Sequence, residues 1–145
     1  MPLRKSTRYA LYAALEMARE GAAAPVTVTR VAERYSIHEA ALAKVFQRLA
    51  RAGVAVSSRG VKGGYQLARR PSQLTVLDVI EAFEPCSPGH RDADDGSGAA
   101  CAGDGAGRLR RLFDEVDDTV RCAYAAVTLE TLAGRTAARL QETRE

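Results

Sequence analysis

Apolar positions return every three or four residues along most of this chain, the spacing of helices with one buried face. Leu11, Ala14, Leu15 and Ala18 predict a first helix over residues 9–20, ended by Gly21. Residues 25–28 read as a short extended link. Thr29 can cap a second helix that carries Val31 and Ala32 inward, up to about Tyr35. Ser36 and Ile37 make a turn. A longer helix follows over residues 38–52, with Leu42, Val45, Phe46 and Leu49 on its apolar stripe. Lys44, Arg48 and Arg51 lie largely off that stripe, and Gly53 closes the helix as a C-terminal cap.

Residues 54–58 and 65–68 then read as strands around the loop Arg59-Gly-Val-Lys-Gly-Gly64. Glycine supplies the positive φ angles that a tight hairpin needs. Arg59 and Lys62 place positive charge at its tip. A helix-turn-helix followed by a basic hairpin is the layout of a winged-helix DNA-binding domain. A glycine-rich surface hairpin with incidental cations is the plainer alternative, and the two helices upstream weigh against it.

Residues 71–75 turn into a capped helix over residues 76–83, with Val76, Leu77, Val79, Ile80 and Phe83 apolar. From residue 85 to 107 the periodicity collapses into Gly, Ala, Asp and Ser, the composition of a long loop. Regularity returns at Arg108. Leu109, Leu112, Val116, Val120, Ala123 and Val127 are spaced 3, 4, 4, 3 and 4 apart, a seam on one face of a long helix. A lone projecting helix would leave that seam in water, and a second subunit would cover it. The alternative is that the seam packs on its own wing domain. Thr128 can cap a final helix through Leu129, Leu132 and Leu140. The expected fold is mainly α with a small β-wing: a winged helix-turn-helix domain (1–84), a sensor-type loop (85–107) and dimerisation helices (108–145).

Charge sharpens this division. Residues 1–84 hold 13 lysines and arginines against 7 acids, a balance of +6, and residues 85–145 hold 8 against 11, a balance of −3. A basic front half suits a polyanion such as double-stranded DNA. No apolar run approaches the roughly 20 residues needed to cross a bilayer, and no signal-peptide core follows the basic N-terminus. The expected location is therefore cytoplasmic, with no membrane partner. Three scattered cysteines do not make a disulfide framework.

A recognition helix presents its N-terminal turn to the major groove, which here carries His38, Glu39, Ala40, Ala41, Ala43 and Lys44. Alanine can touch a thymine methyl but reads no hydrogen-bond pattern, so direct reading falls to His38, Glu39 and Lys44. Lys44 and Arg48 are expected beside backbone phosphates. Thr27, Thr29 and Arg4 are weaker phosphate candidates.

The stretches Thr7-Arg-Tyr-Ala-Leu11, Leu42-Ala-Lys-Val-Phe-Gln-Arg-Leu-Ala-Arg-Ala-Gly53, Ser58-Arg-Gly-Val-Lys-Gly-Gly-Tyr-Gln-Leu-Ala68, Thr75-Val-Leu-Asp-Val-Ile-Glu-Ala82 and Val127-Thr-Leu-Glu-Thr-Leu132 carry a resemblance. Together they resemble the winged-helix transcriptional regulators that include the iron–sulfur regulator IscR and the nitric-oxide sensor NsrR. The resemblance covers residues 3–132. It implies a homodimer on a roughly palindromic operator, acting as a repressor, with C-terminal helices exchanged between subunits. It makes Arg59 a minor-groove arginine; Lys62 should sit near a phosphate, and Gly63 and Gly64 permit close approach of the wing backbone.

The resemblance also places sensing cysteines in the loop before the dimer helix. This chain has Cys86 and Cys101 there, with His90 between them. Thiolates and an imidazole can hold an iron–sulfur cluster, but this set is incomplete. In relatives the missing ligand can come from the N-terminal helix of the other subunit, where Arg8, Tyr9 and Tyr12 stand here and Glu16 is the only nearby carboxylate. The alternatives are a thiol switch joining Cys86 and Cys101, or a regulator that answers a small ligand and holds no cluster. Cys122 reads as a buried or half-buried thiol on the long helix. A different class of function, a winged-helix protein-interaction module without DNA binding, draws its support from the alanines at 40, 41 and 43. Cys, His and Asp in one loop lack the scaffold of a nucleophilic enzyme, so no catalysis is expected.

Overall fold

A computed structural model describes residues 3–84 and 104–134. The elements run α1 (Lys5–Glu20), α2 (Val28–Tyr35), α3 (Glu39–Arg51), β1 (Ala55–Ser58), β2 (Gly64–Leu67), a 3-10 turn (Pro71–Gln73), α4 (Val76–Glu81) and α5 (Asp104–Ala125). Residues 129–134 are helical again. The fold is thus mainly α with one two-stranded antiparallel wing, as the residue pattern predicts.

The small side chains of Ala10, Ala13 and Ala14 let α1 lie close against its neighbours, and all three are fully buried together with Met17. They meet Val31 of α2, Leu42, Val45, Phe46 and Leu49 of α3, and Val79 of α4 in one core. Alpha-1 begins four residues earlier than its apolar spacing predicts. The cause is distant in sequence: Glu84 accepts from the Arg4 backbone N–H at 2.8 Å and from the Thr7 hydroxyl at 2.5 Å. A carboxylate at a helix N-terminus satisfies donors that no earlier turn can reach.

The cap of α2 is Thr27, not Thr29. Thr27 has extended backbone, and its hydroxyl accepts from the Arg30 N–H at 3.2 Å. Thr29 already lies inside the helix, which leaves its hydroxyl for another partner. At the other end Ser36 takes the left-handed conformation, φ 53°, and turns the chain into α3. Alpha-4 carries a full capping box, Thr75 with Asp78.

The chain re-enters this core after α5. Val76 donates to the Val127 carbonyl at 2.9 Å, and Leu129 donates to the Leu74 carbonyl at 2.8 Å. Leu129 is fully buried. The Thr128 hydroxyl accepts from the Thr131 N–H at 3.1 Å, so it caps the helical residues that follow, as expected. Arg121 pairs with Glu81 of α4 at 2.7 Å. Alpha-5 is therefore fastened to the domain at its C-terminal end. Cys122 differs from expectation: it is exposed.

Glu16 is 1 % exposed inside α1 and is held by three groups. Arg19 and Arg34 each approach it at 3.3 Å, and the Tyr35 hydroxyl donates to it at 2.8 Å. The Tyr35 ring stacks on Tyr12 with centroids 4.6 Å apart. Burial, and then the hydrogen bond to Glu16, push the Tyr35 hydroxyl up from 10.0 to about 12.

Two consequences are measurable. Leu129→Ala should lower stability by about 2–5 kcal/mol, the range for emptying a fully buried leucine site, read from urea unfolding. An effect under about 1 kcal/mol would mean that the return of the chain after α5 contributes little to the core. Tyr35 binds its proton more tightly folded than unfolded. Its contribution is therefore complete below about pH 10 and lost as pH rises through about 12. Tyr35→Phe should flatten that alkaline loss in urea midpoints taken across this window.

Candidate nucleic-acid interface

Alpha-3 buries Leu42, Val45, Phe46 and Leu49 and turns its opposite face outward. His38 stands at the N-cap without a side-chain capping bond, and His38, Glu39, Ala40, Ala41 and Lys44 are exposed, while Ala43 is half-buried. Ala40, Lys44, Gln47 and Arg51 follow one another at helical spacing along the outward face. That face begins apolar and ends cationic. Lys44, Gln47, Arg48, Arg51, Ala52 and Ala82 line an open depression of about 510 Å³ beside it.

The wing is fixed to this helix through Tyr65. Its ring packs on Phe46 with centroids 4.7 Å apart. Its backbone exchanges two 2.8 Å hydrogen bonds with Val26, an isolated antiparallel bridge that ties the link before α2 to the wing. The hairpin register pairs Ala55 with Leu67 and Ser58 with Gly64. Two glycines have no substitute here. A Cβ on Gly63 would stand 2.6 Å from the Ser58 carbonyl oxygen, and one on Gly64 would stand 2.7 Å from that of Val26. Arg59 and Lys62 are exposed at the tip, and Val61 between them is wholly exposed. Among the described residues Lys44, Arg51, Arg59 and Lys62 have no ion-pair partner.

Two of the expected phosphate contacts have other attachments. Arg48 donates from Nε to the Ala82 carbonyl at 2.9 Å, and its guanidinium lies 4.9 Å from the centre of the Phe83 ring. The Thr29 hydroxyl donates to Glu39 Oε1 at 2.5 Å. Sequence spacing signals neither contact, since each joins residues on different elements.

Glu16 is enclosed by Arg19, Arg34 and Tyr35, so its carboxylate is already committed within its own subunit. Cys86, His90 and Cys101 lie outside the described residues. On α5, Leu109, Leu112 and Val116 are about half exposed, at 51–52 %, and Val120 is half-buried. Phe113, at 57 %, extends this ridge. The seam's spacing does not point to it, because it sits one position off the regular repeat.

A helix-turn-helix with a basic wing locked to its second helix defines a winged-helix DNA-binding protein. The comparisons with known proteins agree and narrow the class. The Rrf2 family, described as iron-dependent transcriptional regulator, matches residues 3–135. The chain belongs to the Rrf2 family and is a DNA-binding transcriptional regulator. It is 32% identical over 132 residues to a protein of Rhodopseudomonas palustris named as an HTH-type transcriptional regulator, BadM, covering 91% of this chain and 81% of that one. Escherichia coli IscR is 37% identical over 84 residues, which is 58% of this chain and 52% of IscR. The chain thus aligns with about half the length of IscR. Among solved structures, CymR, the global cysteine regulator of B. subtilis, superposes with a TM-score of 0.76 at 27% identity, covering 93% of this chain and 98% of CymR. Among the described residues no helix is long and apolar enough to cross a membrane.

Proposed function

We propose that this regulator binds a palindromic operator as a homodimer, with the N-terminal turn of α3 in the major groove and Arg59 in the adjacent minor groove. The observation that carries this is the pair of wing cations, exposed and without an acidic partner, on a hairpin anchored to α3 through Phe46 and Tyr65. A narrow minor groove concentrates negative potential and draws such an arginine in. Lys62 serves the backbone phosphates. The homodimer reading rests on the apolar ridge of Leu109, Leu112, Phe113 and Val116. A contiguous exposed apolar ridge is the mark of an association surface. A second copy presents the same ridge, and twofold symmetry would give two half-sites.

Arg59→Ala should weaken operator binding by about 1–3 kcal/mol, whereas Lys62→Ala should weaken binding to every sequence and lower the salt slope by about 1. Leu112→Glu should give monomers by sedimentation and abolish operator binding, since an unpaired charge in the seam is costly to bury. Undiminished operator affinity in Arg59→Ala at fixed salt removes the wing from the interface. A wild-type monomer at micromolar concentration removes the dimer.

We further infer that Cys86 and Cys101 couple operator affinity to redox or iron status, in keeping with the iron-dependent description of the family. With His90 they supply soft ligands suited to an iron–sulfur cluster, or a thiol pair suited to a disulfide. Cys86→Ser and Cys101→Ser should each abolish the response, and Cys122→Ser should leave it intact. Colourless, iron-free anaerobic protein excludes the cluster. Operator affinity that is equal under oxidant and reductant excludes the disulfide.

A further inference from the structure

We propose that Glu39 reads a cytosine in the major groove and that Thr29 is the residue that positions it. The inference rests on the DNA-binding reading above and assigns one base to one side chain.

Glu39 is the first residue of α3 and is exposed. The Thr29 hydroxyl, ten residues back on α2, donates to its Oε1 at 2.5 Å. That bond fixes the long side chain in one orientation and leaves Oε2 with its lone pairs. Among the described residues no cation pairs with Glu39. A carboxylate brought among phosphates is repelled unless a donor meets it. The base edges of the major groove offer two such donors, the N4 amino group of cytosine and the N6 amino group of adenine. Adenine places its N7 acceptor beside the amino group, against which a carboxylate has nothing to donate. Cytosine places a C–H there. Guanine and thymine present O6, N7 and O4, all acceptors, and repel the group. Ala40, Ala41 and Ala43 add no hydrogen bond on this turn, so the alanines that follow Glu39 do not compete for the same base. The Thr29 hydroxyl, spent on Glu39, is not the phosphate donor that its place near the start of α2 suggests.

The test is selection of bound duplexes from a random library, followed by affinities of the selected operator with each base substituted in turn. Full-length wild type should select C·G at one symmetry-related pair of positions, and G·C there should bind roughly 5- to 100-fold more weakly. Glu39→Gln should move the preference at that position to A·T, since an amide can both accept from N6 and donate to N7. Thr29→Val should reduce discrimination at that position and leave affinity for duplexes lacking the cytosine unchanged, with Thr29→Ser restoring it. Uniform weakening of all sequences by Thr29→Val would instead make Thr29 a phosphate contact. An unchanged base preference in Glu39→Gln, while Arg59→Ala still weakens binding, overturns the proposal and leaves the DNA-binding reading standing. A wild-type protein that selects no sequence overturns both.

Discussion

The geometry of the wing against the helix-turn-helix depends on where Tyr65 is held. Its two backbone hydrogen bonds reach Val26, immediately before the cap of α2, and its ring rests on Phe46 inside α3. One residue of the wing therefore references both helices of the helix-turn-helix. Phe46 is fully buried, so this contact is continuous with the core rather than added to its surface. Gly64 next to Tyr65 is required for the same reason: the strand lies too close to the Val26 carbonyl to admit a side chain. A hairpin of two four-residue strands is marginal by itself. Here the Val26 bridge and the aromatic contact fix its direction, and with it the position of Arg59 and Lys62.

Most of this architecture is legible in the residue pattern. The helix stripes, the glycine-rich basic loop, the cap at Thr128 and the long seam of α5 all depend on neighbours a few residues away, and sequence spacing carries that information directly. What spacing misses depends on partners far along the chain. Glu84 extends α1 backward from Tyr9 to Lys5. Two threonines stand at the start of α2, and the one that caps it is Thr27, directly after the Val26 that bridges to the wing. Arg48 reads as a groove cation, yet its Nε is bonded to Ala82. Cys122 reads as half-buried from its distance to the seam, but it is exposed, while its neighbour Arg121 is the residue that reaches α4.

Alpha-5 joins the two ends of this regulator's problem, association and DNA binding. Its C-terminal end is sewn into the core through Arg121, Val127 and Leu129, while its apolar ridge toward the N-terminal end stands in solvent. A helix fixed at one end is a lever. If a second copy covers the ridge, the angle of α5 against α4 sets the distance between the two wings and so the spacing of half-sites. The same element order brings the sequence that carries Cys86 and Cys101 between Glu84, which holds the start of α1, and the start of α5. A constraint within that stretch would act on both of its ends.

The composition of α3 sets how much recognition this surface can obtain from hydrogen bonds. Three alanines occupy positions on the leading turns, while its cations come later along the helix, with Lys44 and Arg51 on the outward face. Placed in a groove, such a helix would gain affinity from the backbone and only a little discrimination from base edges. Under the proposed docking, discrimination would then come from few readers that are well oriented, and from the shape of a minor groove met by the wing. If Glu39 is one such reader, the Thr29–Glu39 bond would hold it in place before it meets its base. The Tyr65 anchorage would serve the second, because an arginine that senses groove width needs a hairpin tied to the helices behind it.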